Sequence, residues 1–155
     1  MSTTISCLLV LVCWVSLAWA QPPVEVTLSR VLDGDTLHVT DGTQVYKLRL
    51  IGVGTAERNS LVPCAKSWAE EATRYLTLLV TGQPLRLVFD VVLQDTYGRW
   101  LAYVYIPGEL MVNALLIEYG LGAEADSGKN RQHREMFRQL EREAQIHRRG
   151  MWSGL

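Results

Sequence analysis

Neither sign of charge dominates this chain. Its 15 Lys and Arg stand against 16 Asp and Glu, a formal net charge of −1. A protein that holds nucleic acid through bulk charge is strongly basic, so any such contact here has to be local. Cysteine is scarce as well: of 3 in all, Cys7 and Cys13 lie in the first twenty residues and only Cys64 lies beyond them. A lone cysteine closes no internal disulfide, so packing has to hold the remainder of the fold. Cys64 follows Pro63 at an expected helix start and has no histidine near it in sequence, which reads as packing rather than nucleophilic chemistry. The histidines His38, His133 and His147 show no metal-ligand spacing and are expected at the surface. No internal repeat or low-complexity stretch is visible.

Charge is missing altogether from residues 1–20, whose middle is almost wholly apolar and which close on Ala18-Trp19-Ala20. Small residues at the last and third-last positions suit a signal peptidase, so residues 1–20 are expected to be a cleaved export signal. Residues 21–155 would then form one domain, secreted or periplasmic, monomeric and without a stable membrane span. The alternative is an uncleaved anchor, because ~20 apolar residues can cross a bilayer.

From residue 24 to residue 51 the pattern is strand-like. Val24, Val26 and Leu28 alternate with polar neighbours, as do Leu37 and Val39, and then Val45, Leu48 and Leu50. Asp41-Gly42 between the last two runs predicts a hairpin turn. Ala65, Trp68, Ala69, Ala72, Leu76 and Leu79 recur at helical spacing, predicting a helix over 65–80 that Gly82 stops. Alternation resumes at Leu85, Leu87 and Phe89, and residues 100–106 give another strand. A short helix over 112–119 ends at Gly120. A last helix over 130–148, with Asp126 or Ser127 as its cap and Gly150 as its stop, carries Met136, Phe137, Leu140 and Ala144 as an apolar stripe. About five short strands with three helices predict an α+β domain, a small barrel with packed helices.

The chemistry lies in three short runs. Asp33-Gly34-Asp35 places two carboxylates two residues apart, with Gly34 letting both approach one hard cation; the same tripeptide also serves as a plain turn. Arg49 lies on the face of its strand opposite Leu48 and Leu50, and Glu57 follows in the next loop. Arg99 comes after Tyr97-Gly98, at the start of the strong strand. Singly, each is an ordinary surface residue. Together they are the set that phosphodiester cleavage uses: a cation to polarise the phosphate, a carboxylate to take a proton from water, and guanidiniums to neutralise the oxygens. The planar fork of arginine matches two phosphate oxygens.

The chain resembles the staphylococcal nuclease (thermonuclease) family over about residues 24–153. The markers are Asp33-Gly34-Asp35-Thr36, Arg49-Leu50-Ile51-Gly52-Val53, Thr55-x-Glu57, Asp95-Thr96-Tyr97-Gly98-Arg99, Leu101-Ala102-Tyr103-Val104-Tyr105, Val112-Asn113 and the closing Gly150-Met151-Trp152. The resemblance implies a five-stranded OB-type β-barrel with three packed helices. It also implies a Ca²⁺ site with Asp35 as ligand, Asp33 as its acidic neighbour and Thr55 contributing its backbone carbonyl. By the same resemblance Glu57 orients or deprotonates water, Arg49 and Arg99 hold the phosphate, and Tyr97 lines the nucleotide pocket. The substrate would be DNA or RNA.

Two departures stand out. Where the family carries an aspartate that also binds calcium, this chain has Gly54, and Ala56 replaces a proline that stiffens the loop bearing Glu57. Loss of one carboxylate removes both a ligand and a unit of charge, which weakens the site or favours another divalent ion. Aromatics after Gly120-Leu121 are replaced by Gly122-Ala123-Glu124-Ala125-Asp126, whose carboxylates would repel phosphate. Arg131, Arg134, Arg138, Arg142, Arg148 and Arg149 interleave with Glu135, Glu141 and Glu143, so helix-surface pairs are expected there. Two functions remain open: an exported metal-dependent nuclease weakened at Gly54, and a catalytically impaired OB-type module that binds nucleic acid or protein.

Overall fold

The computed structural model describes residues 24–57 and 63–154. The expected signal segment, residues 1–20, lies outside the described residues. In chain order the elements are β1 (Val24–Val31), β2 (Thr36–Thr40), β3 (Val45–Leu50), β4 (Val53–Gly54), α1 (Pro63–Val80), β5 (Pro84–Val88), β6 (Trp100–Ile106), β7 (Leu110–Met111), α2 (Val112–Glu118), β8 (Ala123–Glu124) and α3 (Arg134–Ile146), followed by a 3₁₀ turn, Gly150–Gly154. Among the described residues, no helix is long and apolar enough to cross a membrane.

Strands β3, β2, β1, β5 and β6 are hydrogen-bonded neighbours in that order, and a parallel pairing of β3 with β6 closes the ring. This is the expected five-stranded OB-type barrel with three helices. Two-residue β7 lengthens the sheet beyond β6, while β4 and β8 form a separate small ladder. The period-2 residues Leu37 and Val39, Leu48 and Leu50, and Leu85 and Leu87 are all fully buried, so the alternation in sequence is the inward face of the barrel. Helix α1 buries Ala69, Ala72, Leu76 and Val80, a stripe at three- and four-residue spacing.

The side chain of Asn113 on α2 fastens the barrel near its closure. Its carbonyl oxygen accepts the Val104 N–H at 2.9 Å, and its amide donates to the Ile51 carbonyl at 2.9 Å. The end of β3, which carries Arg49, is thereby tied to the middle of β6.

Several local expectations are corrected. Val45 is 57% exposed, because a residue three before Leu48 cannot share its strand face. Helix α3 starts at Arg134 rather than near residue 130, and its N-cap is His133, which makes no side-chain capping bond. Asp126 and Ser127 are therefore not its caps. The Ser127 hydroxyl instead accepts the Gly52 N–H at 2.8 Å, across the chain. The helix stops at Ile146, and Arg148 takes the first positive φ after it, 50°, ahead of Gly150 at 53°. Cys64 is exposed near the start of α1, not packed. His133 is half-buried rather than at the surface, with its ring edge-on to Tyr103 at 4.6 Å between centroids.

Candidate active site

The Asp33-Gly34-Asp35 turn delivers Asp35 to the entry of β2, where its side chain is buried. Gly34 is required there for close approach rather than for turning: a Cβ at this position would lie 2.8 Å from the Ala72 Cβ and 2.8 Å from the Thr55 hydroxyl. Four donors converge on the Asp35 carboxylate. Oδ1 accepts the Arg49 guanidinium and, at 3.0 Å, the Thr36 hydroxyl; Oδ2 accepts the Thr55 N–H at 3.2 Å and the Thr55 hydroxyl at 3.1 Å. Burial pushes the Asp35 carboxyl above its ordinary range; Arg49 opposes that push and the carboxylate of Asp33 adds to it. Asp33 itself accepts the Asp35 N–H at 3.1 Å.

Arg49 projects outward from β3, as its place between buried Leu48 and Leu50 requires. Beyond Asp35, it donates to the Val53 carbonyl at 3.1 Å. Arg99 is held differently. Its Nε donates to Asp95 Oδ2 at 2.6 Å, while Asp95 Oδ1 accepts the N–H groups of Tyr97 and Arg99 at 2.9 and 3.0 Å. Asp95 thus stiffens the turn and anchors the inner edge of the guanidinium. The two terminal nitrogens of Arg99 have no partner among the described residues. Burial alone would raise the Asp95 carboxyl; the bonds from Arg99 and Tyr97 outweigh it and hold the group below its ordinary value.

The two arginines meet because the barrel closes between them. The β3–β6 register pairs Arg49 with Leu101, and Arg99, two residues before Leu101, falls on the same side. Both line one groove of about 450 Å³, and the segment 125–129 lines it as well. Leu50, Val53, Val92 and Leu101 give it an apolar floor. Glu57 lies in the exposed stretch after β4, outside the lining of this groove. Tyr97 is 84% exposed on the neighbouring turn, its ring centroid 5.6 Å from the Arg99 guanidinium carbon.

The arrangement does not fit calcium. Such an ion takes 6–8 oxygen ligands, whereas the roughly four lone-pair positions of a carboxylate are all met by donors at Asp35, one of them a guanidinium. Thr55 turns its N–H and hydroxyl toward Asp35. Gly54 contributes no side-chain oxygen, and among the described residues no group of three or more His, Cys, Asp or Glu is placed to hold a metal.

The acidic run after Gly122 is less repulsive than its composition suggests. Arg134 Nε donates to Glu124 at 2.9 Å and Arg138 Nε lies 3.7 Å from the same carboxylate; Arg134 also stands 3.6 Å from Asp126. These arginines were expected to pair along the helix surface, and Arg138 and Arg142 do reach Glu135 at 4.0 and 3.4 Å. The shorter bond runs across to β8. Lys129, which the sequence pattern did not single out, lines the groove beside Arg49 and Arg99.

Fold and site together define a closed OB-type barrel with a cation-lined groove on its outer face. A family model described as Staphylococcal nuclease homologue matches residues 47–154, and the chain belongs to that family. It is 34% identical over 124 residues to the Thermonuclease of Staphylococcus hyicus, covering 80% of this chain and 73% of the relative. It is 36% identical over 132 residues to the SPbeta prophage-derived endonuclease YokF of Bacillus subtilis (strain 168), covering 84% of this chain and 44% of the relative. The Endonuclease YncB of the same organism is 36% identical over 132 residues, 84% of this chain and 62% of the relative. The chain thus spans less than two thirds of either Bacillus protein.

Proposed function

We propose that this domain is a nucleic-acid phosphodiester hydrolase, with Arg49 and Arg99 binding the phosphate and Glu57 activating water. The observation that carries this is the convergence on one groove of two guanidiniums, one from β3 and one from the turn that leads into β6. The nuclease names of the relatives support it. Arg99 keeps a free fork, suited to two equatorial phosphate oxygens as charge builds on them. Arg49 starts from a bond to Asp35 and lends charge from the other side. Glu57 would draw a proton from the attacking water. No step is assigned to Ca²⁺ or another divalent ion, because Asp35 is already saturated by donors. Export by residues 1–20 belongs to the same proposal, and mature protein beginning at Gln21 would support it.

A second function, the impaired module that binds nucleic acid or protein, is favoured by one observation: Gly54 leaves the acidic side of the site a carboxylate short. One assay separates them. The purified chain is incubated with single-stranded DNA and RNA in chelator, Ca²⁺ or Mn²⁺, beside Gly54→Asp and Arg99→Ala. Cleavage by the unaltered chain that is lost in Arg99→Ala supports hydrolysis. Cleavage by Gly54→Asp alone assigns the chain to the binding module.

A further inference from the structure

We propose that Lys129 forms a second phosphate subsite, taking the phosphate that adjoins the one held at Arg99 on the same single strand of nucleic acid. This inference rests on the nucleic-acid function proposed above and adds a contact that nothing in the motif set names.

Three observations carry it. Lys129 lines the same groove as Arg49 and Arg99, together with the apolar Leu50, Val53, Val92 and Leu101. The segment 125–129 is fixed although it belongs to no helix or strand. The Ala125 N–H donates to the Gly52 carbonyl at 3.1 Å and the Gly52 N–H to Ser127 Oγ at 2.8 Å. Next to Lys129, buried Asn130 accepts the Val92 N–H at 2.7 Å and donates back to the Val92 carbonyl at 2.8 Å. Finally, Lys129 has no carboxylate partner among the described residues. The two acids in the lining are engaged elsewhere, Asp95 by Arg99 and Asp126 by the Gly128 N–H at 3.3 Å and by nearby Arg134.

A lysine left unpaired on a pinned segment keeps its charge at a fixed place without being neutralised by its own protein. A single strand suits a groove that mixes cations with apolar side chains. Its sugars and bases can lie against the apolar side chains while successive phosphates reach Arg99 and Lys129.

The test is fluorescence anisotropy of a labelled single-stranded phosphorothioate oligonucleotide across a salt series, the sulfur substitution keeping the strand charged while slowing its cleavage during the measurement. Each phosphate contact on a single strand contributes about −0.7 to the slope of log affinity against log salt. Lys129→Gln is expected to flatten that slope by about 0.7 and to weaken binding by about tenfold at low salt. Lys129→Arg should retain both, as should Lys66→Gln, which removes an exposed lysine on α1 outside the groove. An unchanged slope in Lys129→Gln, an equal loss in Lys66→Gln, or no binding by the unaltered chain overturns the subsite. A chain that cleaves nothing yet loses slope with Lys129→Gln would refute the hydrolase and leave the subsite standing. Cleavage with no slope change would do the reverse.

Discussion

Arg49 and Asp35 are bonded across the entry to the barrel, and the same guanidinium reaches the Val53 carbonyl at 3.1 Å. One side chain therefore ties the start of β2 to β4, next to Gly54. Asp35 finds its counter-charge inside the protein. That pairing sets what a restored carboxylate would do.

Gly54→Asp is expected to fold, because Gly54 does not use the left-handed backbone region and its added Cβ would sit 3.3 Å from the Ala125 Cβ, a contact relieved by a few tenths of an ångström. Without cations, a further carboxylate near Asp33 and Asp35 should cost about 1 kcal/mol, since burial already disfavours the charged form of Asp35. Calcium should reverse this in the variant, stabilising it by about 2.7 kcal/mol at a hundredfold excess over Kd. The unaltered chain should show no thermal shift with millimolar calcium. Saturable calcium binding by the unaltered chain in calorimetry would mean that Arg49 yields Asp35 to the ion.

Arg99→Lys keeps the charge and loses the geometry. A lysine ammonium cannot both occupy the anchoring position against Asp95 and present a two-pronged edge to the groove. Turnover on single-stranded DNA should fall by about 10²-fold, in the range of a lost oxyanion donor, with binding affected much less. A full retention of kcat would show that charge alone suffices at this position.

Much of this site is legible in the amino-acid sequence. The barrel follows from period-2 runs such as Leu37 and Val39, because inward strand positions have to be apolar. Arg49 is legible as outward-facing because its neighbours are not. Ser127 was not: a hydroxyl before an apolar stripe is a plausible helix cap, but this one is committed to the Gly52 N–H some 75 residues away. Lys129 carries no periodic or motif signal, and only the folding of segment 125–130 against Gly52 and Val92 makes it part of the groove. The pairing of Glu124 with Arg134 spans only ten residues, yet it too forms only where α3 folds back against β8.

Acid sensitivity should depend on Asp95. Its folded carboxyl lies below the ordinary value of 3.8, so it contributes stability that is complete above that value. This contribution is lost as pH falls through the lower folded value, where the native state must also take up the proton. Denaturant unfolding from pH 5 down to pH 2 should show a steeper loss below about pH 4 in the unaltered chain than in Asp95→Asn. Parallel curves would mean that the Asp95–Arg99 bond adds nothing to folding. The variant should also loosen Arg99, lowering activity at neutral pH, where it lacks the full stability that the Asp95 carboxylate contributes.

Asn113→Ala should be the most damaging of these changes to stability while touching no groove residue. Truncation strands the Val104 N–H and the Ile51 carbonyl, both in a region where Asn113 itself is fully buried. A buried group left without a partner costs about 1–3 kcal/mol, so a loss of about 3 kcal/mol is expected from the denaturant midpoint. Asn113→Asp should be nearly as costly, because a carboxylate can still accept from Val104 but cannot donate to Ile51, and it brings a charge into an apolar surround. The two variants differ in one useful way. In Asn113→Ala the β3–β6 closure relaxes without added charge, so any fall in phosphate binding by the folded fraction reports on the spacing of Arg49 and Arg99 alone. Unchanged binding in that fraction would show that the strand pairing of Arg49 with Leu101 holds the two guanidiniums in place without help from α2.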